Sequence, residues 1–337
     1  MYDKQMKQMA ISSVVFFIIA MSIMLYTACN KSVDKKEGLI INQEIESTGE
    51  KDAKELSVVQ DGSEQGYLCI PLSADVTEEN VILQADYVEQ KLYITLDGLE
   101  ENFYEYNKIS GNSSYLNKIL YTYYKGKTKL QIQMSGLYEH NVYCKNDTLY
   151  LEFYSPREQY DKIIVVDANN SSGTVPLIVV KKLKEKLDQT DIKVYYTRLD
   201  TSNPSNEKRV LLANQSRADM FISVRVNVEE DDTKKRAVQT IYNGNFFIPS
   251  FGSVDLADIM ERNVCKVTRS LARGLIEADA SNLLVNNATV PVAVIDAGYV
   301  SSKQEKDRLG NDGYIEKLSE GIYRGIMDAY RVLETQD

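Results

Sequence analysis

The sequence predicts a mixed α/β protein, in which a small, mostly β domain precedes an open, mostly parallel, twisted sheet with helices on both faces. Residues 157–337 alternate short apolar runs with helical patterns, which indicates strand–helix–strand units and a parallel sheet. Residues 66–156 instead show apolar and polar alternation at strand length. Residues 30–65 are polar, and residues 1–29 contain a long apolar run that predicts a membrane anchor or export signal.

The N-terminal segment predicts that the rest of the chain lies outside a cytoplasmic membrane. Lys4 and Lys7 precede a charge-free run over residues 8–30, and a run of about 20 apolar residues is long enough to cross a bilayer. Positive charges before such a run favour a cytoplasmic N-terminus. The residues before Cys29 resemble a bacterial lipoprotein signal, although Tyr26 stands where that pattern prefers leucine. The sequence therefore predicts attachment at the outer face by a lipid on Cys29 or by one transmembrane helix.

Composition limits the partners of the folded part. Residues 30–65 are rich in charged and small polar side chains, which predicts a flexible tether between membrane and fold. The net charge is −10, whereas a nucleic-acid-binding surface requires a basic face. We therefore expect no nucleic-acid partner.

The segment 66–156 contains the patterns of an antiparallel β domain. Residues 92–96 and 130–134 have strand-length apolar patterns, and the turn residues 145–147 separate two more strands in the manner of a hairpin. Tyrosines are dense here, and a tyrosine-rich sheet face can stack on sugar rings, although β-sheets also favour tyrosine in general. Cys69 and Cys144 are either a disulfide pair or two buried thiols.

The segment 157–337 contains the alternating elements of the parallel sheet. A continuous apolar run such as residues 163–166 is typical of a strand buried on both faces. The predicted strands are residues 163–166, 193–197, 220–224 and 292–295, and the predicted helices are residues 177–187, 209–216, 255–274 and 314–332.

Several motifs in this segment occur in the order that a known family has. They are the strand at 162–167, the Thr197–Arg198 pair with the block at 209–223, the strand and turn at 291–301, and the terminal helix at 312–326. On these motifs, residues 162–330 resemble the zinc-dependent N-acetylmuramoyl-L-alanine amidases, which cut peptide stems from bacterial cell-wall glycan. The resemblance implies an amidase-like fold. By its position, the preceding β domain is similar to the AMIN-like domains that dock on the cell wall.

The departures from the family pattern fall on the residues of the chemistry. The resemblance implies a zinc ion held by two histidines and a glutamate, with a second glutamate in catalysis. Here Asn170 and Arg225 stand at the histidine positions, and the loop with the glutamate ligand is absent near Ser172 and Gly173. Asp296 stands at the position of the catalytic glutamate. The sequence therefore predicts no functional catalytic residue at these positions.

The chemistry of these substitutions argues against a metal site. Catalytic zinc requires three protein nitrogen or oxygen donors, whereas Arg225 carries only N–H donors and a fixed positive charge. The single histidine, His140, lies outside the resembling region and is expected to be solvent-exposed. Arg225 is predicted to pair with Asp296 or Asp167, or alternatively to hold a carboxylate of a peptide stem. With Asn170 and Asn227, these residues form the candidate cleft, with no cofactor.

The resulting functional hypothesis is a membrane-tethered, catalytically inactive amidase homologue at the cell envelope. It binds peptidoglycan, or it regulates or scaffolds a cell-wall hydrolase or assembly protein. Two alternatives stay open from sequence: an active amidase with a non-standard site, and a purely structural interaction module of the envelope.

Overall fold

The computed structural model describes residues 53–62, 66–170, 173–227, 237–245 and 251–335. The predicted anchor, the lipidation site at Cys29 and most of the predicted tether lie outside the described residues. Across the residues that the structure describes, no helix is both long and apolar enough to cross a membrane.

The N-terminal part is a small β domain of two five-stranded sheets, as the sequence predicts. The elements are β1 (Lys54–Leu56), β2 (Val58–Gln60), β3 (Tyr67–Pro71), β4 (Val81–Asp86), β5 (Lys91–Asp97), α1 (Phe103–Tyr106), β6 (Ile109–Gly111), β7 (Leu116–Tyr124), β8 (Lys127–Met134), β9 (Glu139–Cys144) and β10 (Thr148–Tyr154). The strand orders are β1-β7-β8-β5-β4 and β2-β6-β3-β10-β9. Inward-facing residues of both sheets, such as Leu68, Ile94, Ile132 and Leu151, form one buried core, because alternate residues of a strand point to the same face.

The tether prediction is wrong for its last residues, because β1 and β2 belong to the fold. β1 pairs with β7, and β2 pairs in parallel with β6. Both are edge strands whose side chains are mostly exposed. Backbone hydrogen bonds and the partial burial of Leu56 and Val58 hold them in place, and strands of three residues are too short to show a periodic signal.

The predicted hairpin is formed by β9 and β10. Asn146 and Asp147 have φ values of 50° and 53°, the left-handed conformation that tight hairpin turns require. Cys69 pairs with Tyr150 and Cys144 pairs with Leu149, two consecutive residues that point to opposite faces of the sheet. The two thiols therefore lie on opposite faces, and both cysteines are free.

The prediction of a solvent-exposed His140 is wrong. β9 begins at Glu139, earlier than the predicted strand, so His140 is a strand residue opposite Phe153. Its side chain is half-buried, and this burial lowers the pKa of the imidazole.

The second part contains a six-stranded sheet in the order β12-β11-β13-β16-β14-β15. Its strands are β11 (Ile163–Ala168), β12 (Lys193–Tyr196), β13 (Met220–Asn227), β14 (Val238–Tyr242), β15 (Ala272–Glu277) and β16 (Val292–Tyr299). β12, β11, β13 and β16 are parallel neighbours, whereas β14 runs antiparallel to β16. This arrangement confirms the open, mostly parallel sheet.

Helices cover both faces of this sheet. They are α2 (Pro156–Gln159), α3 (Val175–Leu187), α4 (Asn206–Ser216), α5 (Ser253–Thr268), α6 (Leu283–Asn286), α7 (Lys303–Leu309) and α8 (Asp312–Glu334). α3, α5 and α8 share a core with one face of the sheet, whereas α4 and α6 share a core with the other. Because helices cover both faces of the sheet, its central strands are buried on both sides, which explains their continuous apolar runs.

The predicted helix over residues 255–274 is wrong at its C-terminal end. α5 ends at Thr268, and Arg269 adopts a left-handed conformation with φ of 57°. The following residues form β15, which pairs with β14 at the sheet edge. Because no glycine or proline marks the end of α5, the sequence gives no local stop signal.

A buried polar cluster joins the two domains. Glu139 of β9, whose side chain is 5% exposed, accepts hydrogen bonds from Tyr195 and from Tyr87 (3.0 Å), and the Lys193 ammonium lies 2.8 Å from it. The same ammonium lies 4.7–5.0 Å from the ring centres of Tyr87, Tyr160 and Tyr195. Charge pairing and cation–π contacts therefore fix the β domain against the strand edge at β12.

The crossing of α8 over α5 supplies a test of packing. A Cβ atom at Gly321 would lie 2.8 Å from Val264 Cα, a backbone atom, whereas one at Gly325 would meet the flexible end of Met260 at 2.6 Å. Alanine gains about 1 kcal/mol of helix propensity at either site, and overpacking costs about 1–3 kcal/mol. We expect Gly321→Ala to lower the free energy of unfolding by about 1–2 kcal/mol, and Gly325→Ala to leave it nearly unchanged. Urea unfolding measures both, and equal effects would contradict this packing account.

Candidate functional site

The candidate residues lie at the carboxyl ends of the parallel strands, where open α/β sheets bind ligands. Asp167 is in β11, Arg225 in β13 and Asp296 in β16. Across the ladder, Asp167 is opposite Ser223, and Arg225 is opposite Asp296. Since Ser223 and Arg225 are two residues apart, they share one face of the sheet.

Asp167 is a core residue with no exposed surface. Its carboxylate accepts hydrogen bonds from Thr197 Oγ1 and Ser223 Oγ, both at 2.6 Å, and pairs with the Arg209 guanidinium. Both carboxylate oxygens are therefore engaged inside the protein. This network holds together β11, β13, α4 and the residue that follows β12.

Arg225 and Asp296 form a two-bond ion pair. Arg225 Nε lies 2.6 Å from Oδ1 of Asp296 and Nη2 lies 2.8 Å from Oδ2, and Asn227 Nδ2 donates to Oδ2 at 3.3 Å. The Asp296 side chain is 1% exposed and the Arg225 side chain 26% exposed. The hydrogen bond to Asp296 raises the pKa of the Arg225 guanidinium, although burial opposes it. Of the two partners predicted for Arg225, Asp296 is the one with which it pairs, whereas Asp167 pairs with Arg209.

A polar row continues beyond Asp296 onto β14 and the edge strand β15. Gln239 of β14 is opposite Asp296, and the Tyr299 hydroxyl donates to Gln239 Oε1 at 3.3 Å. Arg273 Nη1 donates to the same hydroxyl at 2.7 Å. Burial raises the pKa of Tyr299, with Arg273 opposing this effect. Sequence reasoning missed Gln239 and Arg273; the one available signal was a glutamine inside the apolar run 237–241.

The remaining candidate positions lie around the end of β11. Asn170 is exposed, two residues beyond the strand. Ser172 lies outside the described residues, and Gly173 has φ of 85°, shortly before α3 begins at Val175. The structure thus brings Arg225, Asn227 and Asp296 into direct contact, whereas Asn170 is an exposed residue beyond the end of β11.

The donor set at these positions does not fit a zinc ion. Arg225 carries a positive charge and only N–H donors, and its guanidinium engages both carboxylate oxygens of Asp296. The only histidine of the sequence lies in β9. Within the described ranges, no three His, Cys, Asp or Glu side chains form a group that could hold a metal.

Comparisons with known proteins show similarity of the second part to one family. Residues 168–328 match the family model described as N-acetylmuramoyl-L-alanine amidase. The germination-specific N-acetylmuramoyl-L-alanine amidase of Bacillus subtilis is 30% identical over 122 residues, which cover 36% of this chain and 48% of that protein. The chain thus spans about half the length of this curated relative.

Two solved structures give similar matches. The catalytic domain of CwlV from Bacillus (Paenibacillus) polymyxa var. colistinus is 22% identical with a TM-score of 0.46, covering 51% of this chain and 99% of that one. An N-acetylmuramoyl-L-alanine amidase of Clostridium difficile 630 is 25% identical with a TM-score of 0.46, covering 50% and 97%.

The second part has an α/β fold with a polar row at the carboxyl ends of its parallel strands. Its residues 168–328 match the model of the N-acetylmuramoyl-L-alanine amidase family.

A double-mutant cycle tests whether Arg225 and Asp296 depend on each other. Arg225→Met leaves a buried carboxylate unpaired and should lower the free energy of unfolding by about 3–5 kcal/mol. Adding Asp296→Leu should recover most of that loss, because a buried ion pair is replaceable by apolar groups of similar volume.

The exposed pair Lys184–Asp188 provides the control cycle, with an expected coupling below about 0.5 kcal/mol. Chemical denaturation of the four variants in each cycle gives both coupling energies. Additive effects at Arg225 and Asp296 would show that the pair carries no net interaction.

Proposed function

We propose that this protein is a membrane-tethered, catalytically inactive amidase homologue that binds peptidoglycan. The family match over residues 168–328 supports a role at the cell wall. The N-terminal apolar run supports attachment at the outer face of the cytoplasmic membrane, by a lipid on Cys29 or by one transmembrane helix.

The Arg225–Asp296 ion pair carries the proposal of inactivity. The resemblance places these two residues at a zinc-ligand position and at the position of the catalytic glutamate. An arginine at the first position repels a cation. Asp296, held by two bonds from Arg225, has its acceptor oxygens occupied, so general-base action on a water molecule would first require breaking a buried pair.

Binding of peptidoglycan without hydrolysis is the function that these features favour. The sheet, its covering helices and the polar row at the strand ends are present, so a wall-facing surface is available without cleavage chemistry. In the same setting, a regulatory or scaffolding partner would be another cell-wall enzyme or assembly protein.

The first test combines metal content with activity. We expect purified full-length protein in detergent to retain far less than one zinc per chain after incubation with zinc, and to release no stem peptides from wall sacculi. The Bacillus subtilis germination-specific amidase serves as the active control. Stoichiometric zinc together with chelator-sensitive release of stem peptides would overturn the proposal.

Sedimentation with insoluble sacculi tests the binding half of the proposal. We expect the full-length protein to pellet with the sacculi, without a fall in sacculus turbidity. A protein that stays in the supernatant would instead be a purely structural module of the envelope.

The anchor has its own test, because two modes of attachment are open. If Cys29 is lipidated, Cys29→Ser abolishes incorporation of labelled fatty acid and prevents release of the signal segment. If residues 1–29 remain as a transmembrane helix, the variant stays in the membrane fraction at its original mass. Cys265→Ser is the control. Recovery of the wild-type protein in the soluble fraction would contradict both modes.

A further inference from the structure

The polar row at the strand ends contains two arginines that approach it from opposite sides. Arg225 lies on β13 and is opposite Asp296 on β16, which is opposite Gln239 on β14. On β15, the register shifts between the pairs of Val238 and Thr240, so Arg273 and Gly274 together face Gln239. The row therefore spans four adjacent strands, with an arginine at each end.

Both guanidinium groups are directed inward from their own strands. Arg225 reaches over to Asp296 on the neighbouring strand, and Arg273 reaches over β14 to the Tyr299 hydroxyl on β16. Neighbouring strands are about 4.8 Å apart, so two arginines three strands apart extend their side chains toward the same strip of sheet.

A bulge in β15 sets the direction of Arg273. Gly274 has φ of 92°, a conformation that favours glycine, and no atom stands within 4 Å of the place where its Cβ would be. A bulge leaves one strand with an extra residue and redirects the side chain next to it. Gly274 is thus required for backbone conformation rather than for close packing.

Buried groups hold the two arginines of the row in place. Among the described residues joined by the hydrogen bonds of the row, two are arginines and one, Asp296, is a carboxylate. Asp296 and Tyr299 are buried, so they fix the orientation of the arginines. Such preorganisation reduces the entropy lost when a ligand binds.

Hydrogen-bond donors remain for a ligand. Among the described residues, Arg225 uses Nε and Nη2 for Asp296, and Arg273 uses Nη1 for Tyr299. The Arg225 side chain is partly exposed and Arg273 is exposed. The planar guanidinium fork matches the two oxygens of a carboxylate.

We propose that Arg225 and Arg273 bind a free carboxylate of a cell-wall peptide stem. This inference rests on the proposed function and specifies the chemical group that its site recognises. The negative charge of the ligand group pairs with the two guanidinium groups, and Tyr299, which is bonded to Gln239, keeps Arg273 in position.

The test is calorimetric titration of the full-length protein in detergent with soluble disaccharide-peptides from muramidase-digested wall. The same fragments, with their carboxyl groups converted to amides, are the matched ligand control. N-acetyl-L-alanine is a small carboxylate without glycan or stem. We expect amidation to weaken binding at least about tenfold, as loss of a charge-assisted bond predicts. We expect N-acetyl-L-alanine to bind far more weakly than the stem fragments.

Arg273 is the residue to change, because it is exposed and outside the core. Arg273→Gln should weaken binding of the unmodified fragments about ten- to hundredfold and leave the amidated fragments unaffected. Arg273→Lys, which keeps the charge without the fork, should give an intermediate loss. Arg262→Gln is the matched control, because this substitution removes the same charge from a position on α5 where the side chain is 69% exposed.

Each contrary outcome has a distinct meaning. Unchanged binding by Arg273→Gln, while the wild-type protein still pellets with sacculi, overturns this inference and leaves the proposed function standing. Loss of binding only in Tyr143→Ser, on the tyrosine-lined face of the β domain, also overturns it. If N-acetyl-L-alanine binds tightly and the stem fragments do not, the site binds small acids and the inference is overturned. Failure of the wild-type protein to bind either fragments or sacculi defeats the proposed function itself.

Discussion

Two buried aspartates on the central strands each require a cation, and the site is arranged around that requirement. Moving an unpaired carboxylate from water to a protein interior costs about 20 kcal/mol in the idealised limit. In real proteins the penalty is still several kcal/mol. Asp167 has Arg209 from α4, and Asp296 has Arg225 from the neighbouring strand. Both arginines are therefore required at their positions to pair the buried carboxylates.

The domain junction restricts which surface faces a ligand. Glu139 and Lys193 fix the β domain beside β12, and β12 and β15 are the two opposite edges of the sheet. The polar row lies on the four strands from β13 to β15, away from the strand that meets the β domain. A ligand on the row and a ligand on the β domain therefore occupy different surfaces, which is why single variants can separate them.

The parts of the fold that the sequence predicted are those with strong local patterns. The apolar runs of β11, β13 and β16 predicted a parallel sheet. The charge of Arg225 predicted a pair with Asp296 or Asp167, and only the structure decides for Asp296. β14 and β15 escaped prediction because their stability comes from pairing with distant strands rather than from their own periodicity. Arg273 was missed with them, since the left-handed Arg269 that separates α5 from β15 has no signature in the sequence.

Under the proposed function, the loss of zinc binding and the formation of the Arg225–Asp296 ion pair depend on each other. A single Arg225→His substitution would supply a possible ligand while leaving Asp296 buried without its cation, at a cost of about 3–5 kcal/mol. A domain is stable by only about 5–15 kcal/mol in total. The free energy of zinc binding would have to offset this cost, although Asn170 offers only a neutral amide as a ligand. The charge on Arg225 therefore disfavours a cation at this position and stabilises the buried Asp296 at the same time, and the donors that Asp296 leaves unused are those that suit a carboxylate.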